Sequence, residues 1–305
     1  MTPDTSSSAD SAAQVRRGGE ELAAAFPALL VAADRVASTV AQGVHGRRRV
    51  GQGETFWQYR RFEYGDSPQQ IDWRRSARSD RLYVRQNEWE AAQSVWLLPD
   101  LSASMRYRSR RTLPEKQERA AVLTLALASL LIRGGERIAL FDRPAPPATG
   151  RAVLDRIFHE ILHGITQDAA AAELPTPPRL PRYSNVVLIS DFLMDRGYLM
   201  EFLSRIAARG VRGHMVQVLD PSEASLPFRG RTRFHGLETE GELLVGKAES
   251  LRDAYLERLA EMQSSLSTFA RRTDWSFTTH LTDAPPEPAL LSLFINMTGA
   301  LHARV

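Results

Sequence analysis

The chain has no cysteine and almost no lysine: of its 39 basic residues, only Lys116 and Lys247 are not arginine. Without cysteine there is no disulfide, no thiolate metal site and no cysteine nucleophile, and the composition fits a reducing cytoplasm. Long hydrophobic runs are missing as well. The two most apolar stretches, LAAAFPALLVAA (22–33) and AAVLTLALASLLI (120–132), are shorter than the roughly 18 to 20 residues a bilayer span needs. Both read as buried helices, and Glu20, Glu21 and Pro27 argue against a secretory core in the first. A phosphate loop (GxxxxGK[ST]), a nucleophile elbow (GxSxG) and a dinucleotide loop (GxGxxG) are absent from the places where each would act. No nucleotide site is therefore expected, and any ATPase would be a separate protein.

What is present has the makings of a globular core: 305 residues, 43% of them hydrophobic, with a formal charge of only +3. Residues 1–18, mostly Ser, Ala, Asp and Thr, are expected to be a disordered tail. A helix is expected over 19–43, ended by Gly43 and Gly46, and then a small β-rich subdomain over 44–92, dense in arginine and aromatics. From 93 to 305 the texture changes. Short apolar runs (SVWLLPD, RIALFD, NVVLISD, HMVQVLD, WSFTTH) alternate with helical patterns, interrupted by a hairpin-like insertion near 228–246. Continuous apolar strands separated by helices predict a doubly wound α/β domain with a mostly parallel sheet covered on both faces.

In such sheets ligands bind beyond the carboxyl ends of the strands, so strand-terminating residues are the candidates. The first strand ends in DLSASM, which places Asp100, Ser102 and Ser104 on one tight loop, and a later strand ends in Asp191. Two carboxylates and two hydroxyls are hard oxygen donors suited to Mg²⁺ or Mn²⁺, and Thr166 in HGITQD would add a hydroxyl from a third loop. The plainer alternative is that Asp100, Ser102 and Asp191 cap the helices that follow them.

The segment GQGETFWQYRRFEYGDSPQQIDWRRSAR, followed by LYVRQNEWE and then DLSASM, resembles the bacterial DUF58 family over roughly residues 45–290. The resemblance implies a C-terminal von Willebrand factor A-like domain. Its metal-ion-dependent adhesion site would map onto Asp100, Ser102, Ser104, Thr166 and Asp191, with a partner's acidic side chain as the last ligand. Two departures stand out: Asp191 is followed by Phe192 where glycine is common, and no Gly-Gly-Thr stands at 164–166. The resemblance also implies a MoxR-type AAA+ ATPase as partner and a non-enzymatic adaptor or docking role in a chaperone-like system.

Two rival readings come from the residues. HEILH carries His159, Glu160 and His163 in the zincin spacing, which puts both imidazoles on one helix face. Its extended form fails, because Thr166 and Ala169 stand where glycine and histidine are required. Nucleic-acid binding is the other rival, through the Arg/aromatic segment 47–85 with Arg47 to Arg49 as its basic block. Between 44 and 111, however, fourteen arginines are interleaved with eight acids. We favour a self-paired module, with a Gly65-Asp66 turn and with Ile71 and Trp73 as its anchors.

Overall fold

A computed structural model of the chain describes residues 31, 33–41, 56–61, 73–77, 82–87, 93–166, 174–236 and 241–299. The chain divides into two compact units, Val44–Ala92 and the remainder. In the smaller unit, strands β1 (Phe56–Arg61) and β2 (Tyr83–Asn87) pair antiparallel, from Arg61↔Tyr83 to Phe56↔Asn87. A single helical turn, α1 (Trp73–Ser76), lies between them in sequence. It buries Ser76, whose hydroxyl accepts the Tyr83 N–H at 2.9 Å. Trp73 does not anchor this unit. It is 63% exposed. Gly65, Asp66, Ile71 and Arg47 to Arg49 lie outside the described residues.

The larger unit is built on five strands: β3 (Ser94–Pro99), β4 (Arg137–Leu140), β5 (Asn185–Ser190), β6 (Arg212–Leu219) and β9 (Ser276–Leu281). Their order in the sheet is β4-β3-β5-β6-β9, and every pairing is parallel. All six residues of β5 and seven of the eight in β6 are buried. Runs this apolar require cover on both faces, and the crossover helices supply it. Those helices are α2 (Lys116–Arg133), α3 (Arg151–Thr166), α4 (Arg196–Ala207), α6 (Arg252–Thr273) and α7 (Pro286–Gly299), with a short α5 (Pro221–Ser225) after β6. Between β7 (Thr232–His235) and β8 (Glu242–Val245) the chain forms an antiparallel ribbon. Among the described residues, no helix is long and apolar enough to cross a membrane.

One face carries Trp96, Val186, Leu188 and Met215 against Leu199, Phe202, Leu203 and Ile206 of α4 and Leu266 and Phe269 of α6. Edge-to-face ring pairs, Phe141 with Phe202 at 5.9 Å and Phe269 with Trp275 at 5.3 Å, add to that burial. The Trp275 indole lies flat on the β6 backbone at Gly213, where a Cβ would stand 2.0 Å from the ring. The opposite face is covered by α2, which packs on β3, β4, β5 and β6 and touches α3 and α7. Helix α2 starts with a reciprocal capping box between Glu115 and Glu118 and stops at Gly134. Gly135 follows with φ 82°, a left-handed turn residue that lets Glu136 N–H return to the Leu131 carbonyl at 2.9 Å. Helical residues 33–41 belong to this unit and bury Ala33, Val36, Ala37 and Val40, one stripe at helical spacing. Asp34 in this segment meets Ser129 and Arg133 of α2.

The chain leaves β3 for β4 on one side, then returns to place β5 on the other. Strand order therefore reverses at β3, and the crevice outside the carboxyl ends of β3 and β5 is the switch point.

Candidate metal centre

Asp100 follows β3 and Asp191 follows β5, so the two strand-end carboxylates flank the switch point. The β3–β5 pairing continues into the loop, where Asp100 N–H donates to the Ile189 carbonyl at 2.8 Å. Each carboxylate is then fixed by an Asx turn. Asp100 Oδ1 accepts the Ser102 N–H at 3.0 Å, and Asp191 Oδ1 accepts the Leu193 N–H at 3.0 Å. Asp220, after β6, repeats the motif with the Ser222 N–H at 2.8 Å. The cap alternative does not describe them: Ser102 makes no side-chain cap bond to the turn that follows it, and α4 is capped by Asp195, which accepts the Tyr198 N–H at 2.8 Å. Asp100 and Asp191 hold loop amides instead, and each retains further acceptor capacity.

Ser102 and Ser104 share a hydroxyl contact of 3.1 Å on the loop that leads into a turn of 3₁₀ helix, Ala103–Met105. Ser190 links the two strands, because its hydroxyl donates to Asp100 Oδ2 at 2.6 Å and accepts the Phe192 N–H at 3.0 Å. Burial raises the Asp100 carboxyl above its ordinary range and the charge on Asp191 raises it further, against the hydrogen bonds from Ser102 and Ser190. Two carboxylates thus oppose each other in a poorly solvated recess beside two hydroxyls. That donor set fits a small hard cation.

Phe192, directly after Asp191, has a φ of 54°. The left-handed conformation costs a non-glycine residue about 1 kcal/mol. Its ring, 2% exposed, packs in the cluster of α4 and offsets that cost. Thr166 is placed differently from the other candidates. It closes α3, and its hydroxyl donates to the Leu162 and His163 carbonyls of its own helix at 3.0 and 3.1 Å. The end of α3 nevertheless abuts the Asp100 loop, because a Cβ on Gly164 would lie 2.5 Å from Leu101 Cδ1.

The residue that sequence reading missed is Lys116. It opens α2, is 1% exposed, and donates to Asp191 Oδ2 at 2.8 Å and to Glu223 Oε1 at 2.5 Å. Burial works to strip its charge, but the two carboxylates outweigh burial and hold the ammonium above its usual pKa. Glu223, also missed, uses its other oxygen to accept the Asp220 N–H at 2.9 Å, closing the capping box of α5. Tyr107 faces the ammonium at 5.9 Å from its ring centroid and bonds Ser222 through its hydroxyl at 2.9 Å. The rarity of lysine was the signal for Lys116, and the Asp-Pro-Ser-Glu capping pattern at 220–223 was the signal for Glu223.

His159 and His163 are exposed on α3, and Glu160 pairs with Arg143 at 3.1 Å. Among the described residues, no three His, Cys, Asp or Glu side chains gather in metal-binding geometry. The strand-end array itself counts two carboxylates and relies on hydroxyls for the remainder.

The chain belongs to the family described as "Protein of unknown function DUF58", whose model matches residues 58–265. It is 31% identical over 224 residues to uncharacterized protein Mb1516 of Mycobacterium bovis and to uncharacterized protein Rv1480 of Mycobacterium tuberculosis. In each case the match covers 69% of this chain and 69% of the relative. Two solved structures resemble it at 16% identity and a TM-score of 0.39, covering 68% of this chain and all of theirs. They are described as conserved hypothetical protein BatB from Bacteroides thetaiotaomicron and an aerotolerance-related membrane protein from Bacteroides fragilis.

Proposed function

We propose that this DUF58 protein is a non-enzymatic interaction protein whose strand-end array takes a divalent cation and presents it to an acidic group on a partner protein. The observation that carries this reading is the placement of Asp100 and Asp191 on either side of the switch point, with the Ser102 and Ser104 hydroxyls 3.1 Å apart beside them. Asp100, Ser102, Ser104 and Asp191 would hold the ion, Mg²⁺ or Mn²⁺ by the hardness of the donors. The ion would supply positive charge at an open coordination position, to which a partner's carboxylate adds. Thr166 would join only through a rotation of its hydroxyl away from its own helix. The von Willebrand A-like reading and a MoxR-type AAA+ ATPase as partner rest on the family resemblance. In that setting the chain would act as an adaptor in a chaperone-like process.

Calorimetric titration of the purified chain with MgCl₂ tests the proposal. Wild type should bind and Asp100→Ala should lose at least tenfold in affinity, about 1.4 kcal/mol. Equal affinity in the two proteins would sink it.

A further inference from the structure

We infer that Lys116 is a tethered cation belonging to this site, and that a divalent ion recruits Asp191 by taking it from Lys116. The inference rests on the reading of Asp100, Ser102, Ser104 and Asp191 as a cation site and adds how that site is kept ordered and selective without an ion.

Three observations carry it. The Lys116 ammonium lies 2.8 Å from Asp191 Oδ2, so an ion ligated by that oxygen has to compete with the ammonium for it. Asp191 and Glu223 both bond the ammonium, and the charge of Asp191 acts in turn on Asp100, so the single ammonium answers two carboxylates directly and does not reach the third. Finally, the chain uses arginine for almost every cation, yet puts one of its two lysines here with its side chain 1% exposed. A guanidinium is a planar fork, whereas an ammonium is a compact point charge that can occupy a metal-sized space between two carboxylates. Lys116 and a dication repel each other across that space, so the lysine sets a threshold that only a doubly charged ion at sufficient concentration passes. Once released from Asp191, the ammonium keeps Glu223 as its partner and does not become an uncompensated buried charge.

Lys116→Met retains most of the buried stem and removes the charge. In calorimetry this variant should bind Mg²⁺ at least tenfold more tightly than wild type. Its melting temperature, depressed in EDTA, should recover on adding Mg²⁺, while that of wild type moves little. If the single variant fails to fold, Lys116→Met/Glu223→Gln removes one charge of each sign and should show the same gain in affinity. Mg²⁺ binding by wild type with no gain in either variant overturns the inference and leaves the site reading standing. Tight binding by the variants alone shows that Lys116 shuts Mg²⁺ out of the wild-type site, and overturns both the displacement and the site reading. An absence of binding in all three proteins overturns both.

Discussion

Ser190 donates its hydroxyl hydrogen to Asp100 Oδ2 at 2.6 Å, so the residue just before one strand-end aspartate holds the other. The Ser190 hydroxyl oxygen in turn accepts the N–H of Phe192, whose backbone is in the left-handed region. Ser190→Ala removes both bonds and leaves a buried amide unpaired. A loss of about 2 kcal/mol is expected for a charge-assisted bond, read as a lower urea midpoint with an unchanged slope. An unchanged midpoint would mean that the contact only accompanies the fold.

The hydroxyls of the loop predict a graded response to metal. Ser104→Ala should weaken Mg²⁺ binding about tenfold, and Asp191→Asn should weaken it more, because it removes a charge and not only a dipole. Ser104 is only partly buried and asparagine keeps the shape of the buried Asp191 side chain, so both proteins should give the circular dichroism spectrum of wild type. Retention of full affinity by Asp191→Asn would remove β5 from the site.

Gly213 provides a test of the fold that is independent of the site. An alanine methyl there would sit 2.0 Å from the Trp275 ring, and the ring is held by its N–H to the Val211 carbonyl at 3.0 Å. Because the indole cannot retreat without breaking that bond, Gly213→Ala should cost about 3 kcal/mol in urea unfolding while leaving Mg²⁺ affinity unchanged. A variant as stable as wild type would show that the indole can move aside freely.

Two buried histidines set the acid limit of stability. Burial, reinforced by Arg212 for His214 and by Arg119 for His280, lowers both to about 4 from an ordinary 6.5. His214 shares Nδ1 with the Ser276 hydroxyl at 2.9 Å. Below pH 6.5 the unfolded chain takes up protons that the folded chain refuses. Their contribution to stability is therefore full above pH 6.5 and declines as pH falls toward 4, by up to about 3 kcal/mol per histidine. Urea midpoints at pH 7, 5.5 and 4.5 should decrease in that order, and a flat profile across this window would contradict the burial of both rings.

The doubly wound sheet was legible because its strands are nearly all apolar: VWLLP, VVLIS and HMVQVL leave few residues for solvent. Asp100 and Asp191 could be placed at the ends of those strands, and the structure brings them to the two sides of the switch point. Lys116 could not be read that way. Its partners lie 75 and 107 residues further along the chain, and a lysine at the start of a helix carries no local mark of being buried. Trp73 failed in the opposite sense, since an aromatic in a one-turn helix has no periodicity to say which side faces inward. Thr166 ends a helix that abuts the Asp100 loop, but its hydroxyl's preference for the carbonyls one turn back was hidden from view.

The Asx turns at Asp100, Asp191 and Asp220 take their hydrogen atoms from the main chain at positions 102, 193 and 222. A main-chain donor survives every amino-acid replacement except proline. Drift in the intervening loops can therefore repaint the surface around the crevice without moving the carboxylates. Under the proposed function, partner choice and ion chemistry would be separately heritable, the first written in loop side chains and the second in Asp100, Asp191 and the backbone behind them.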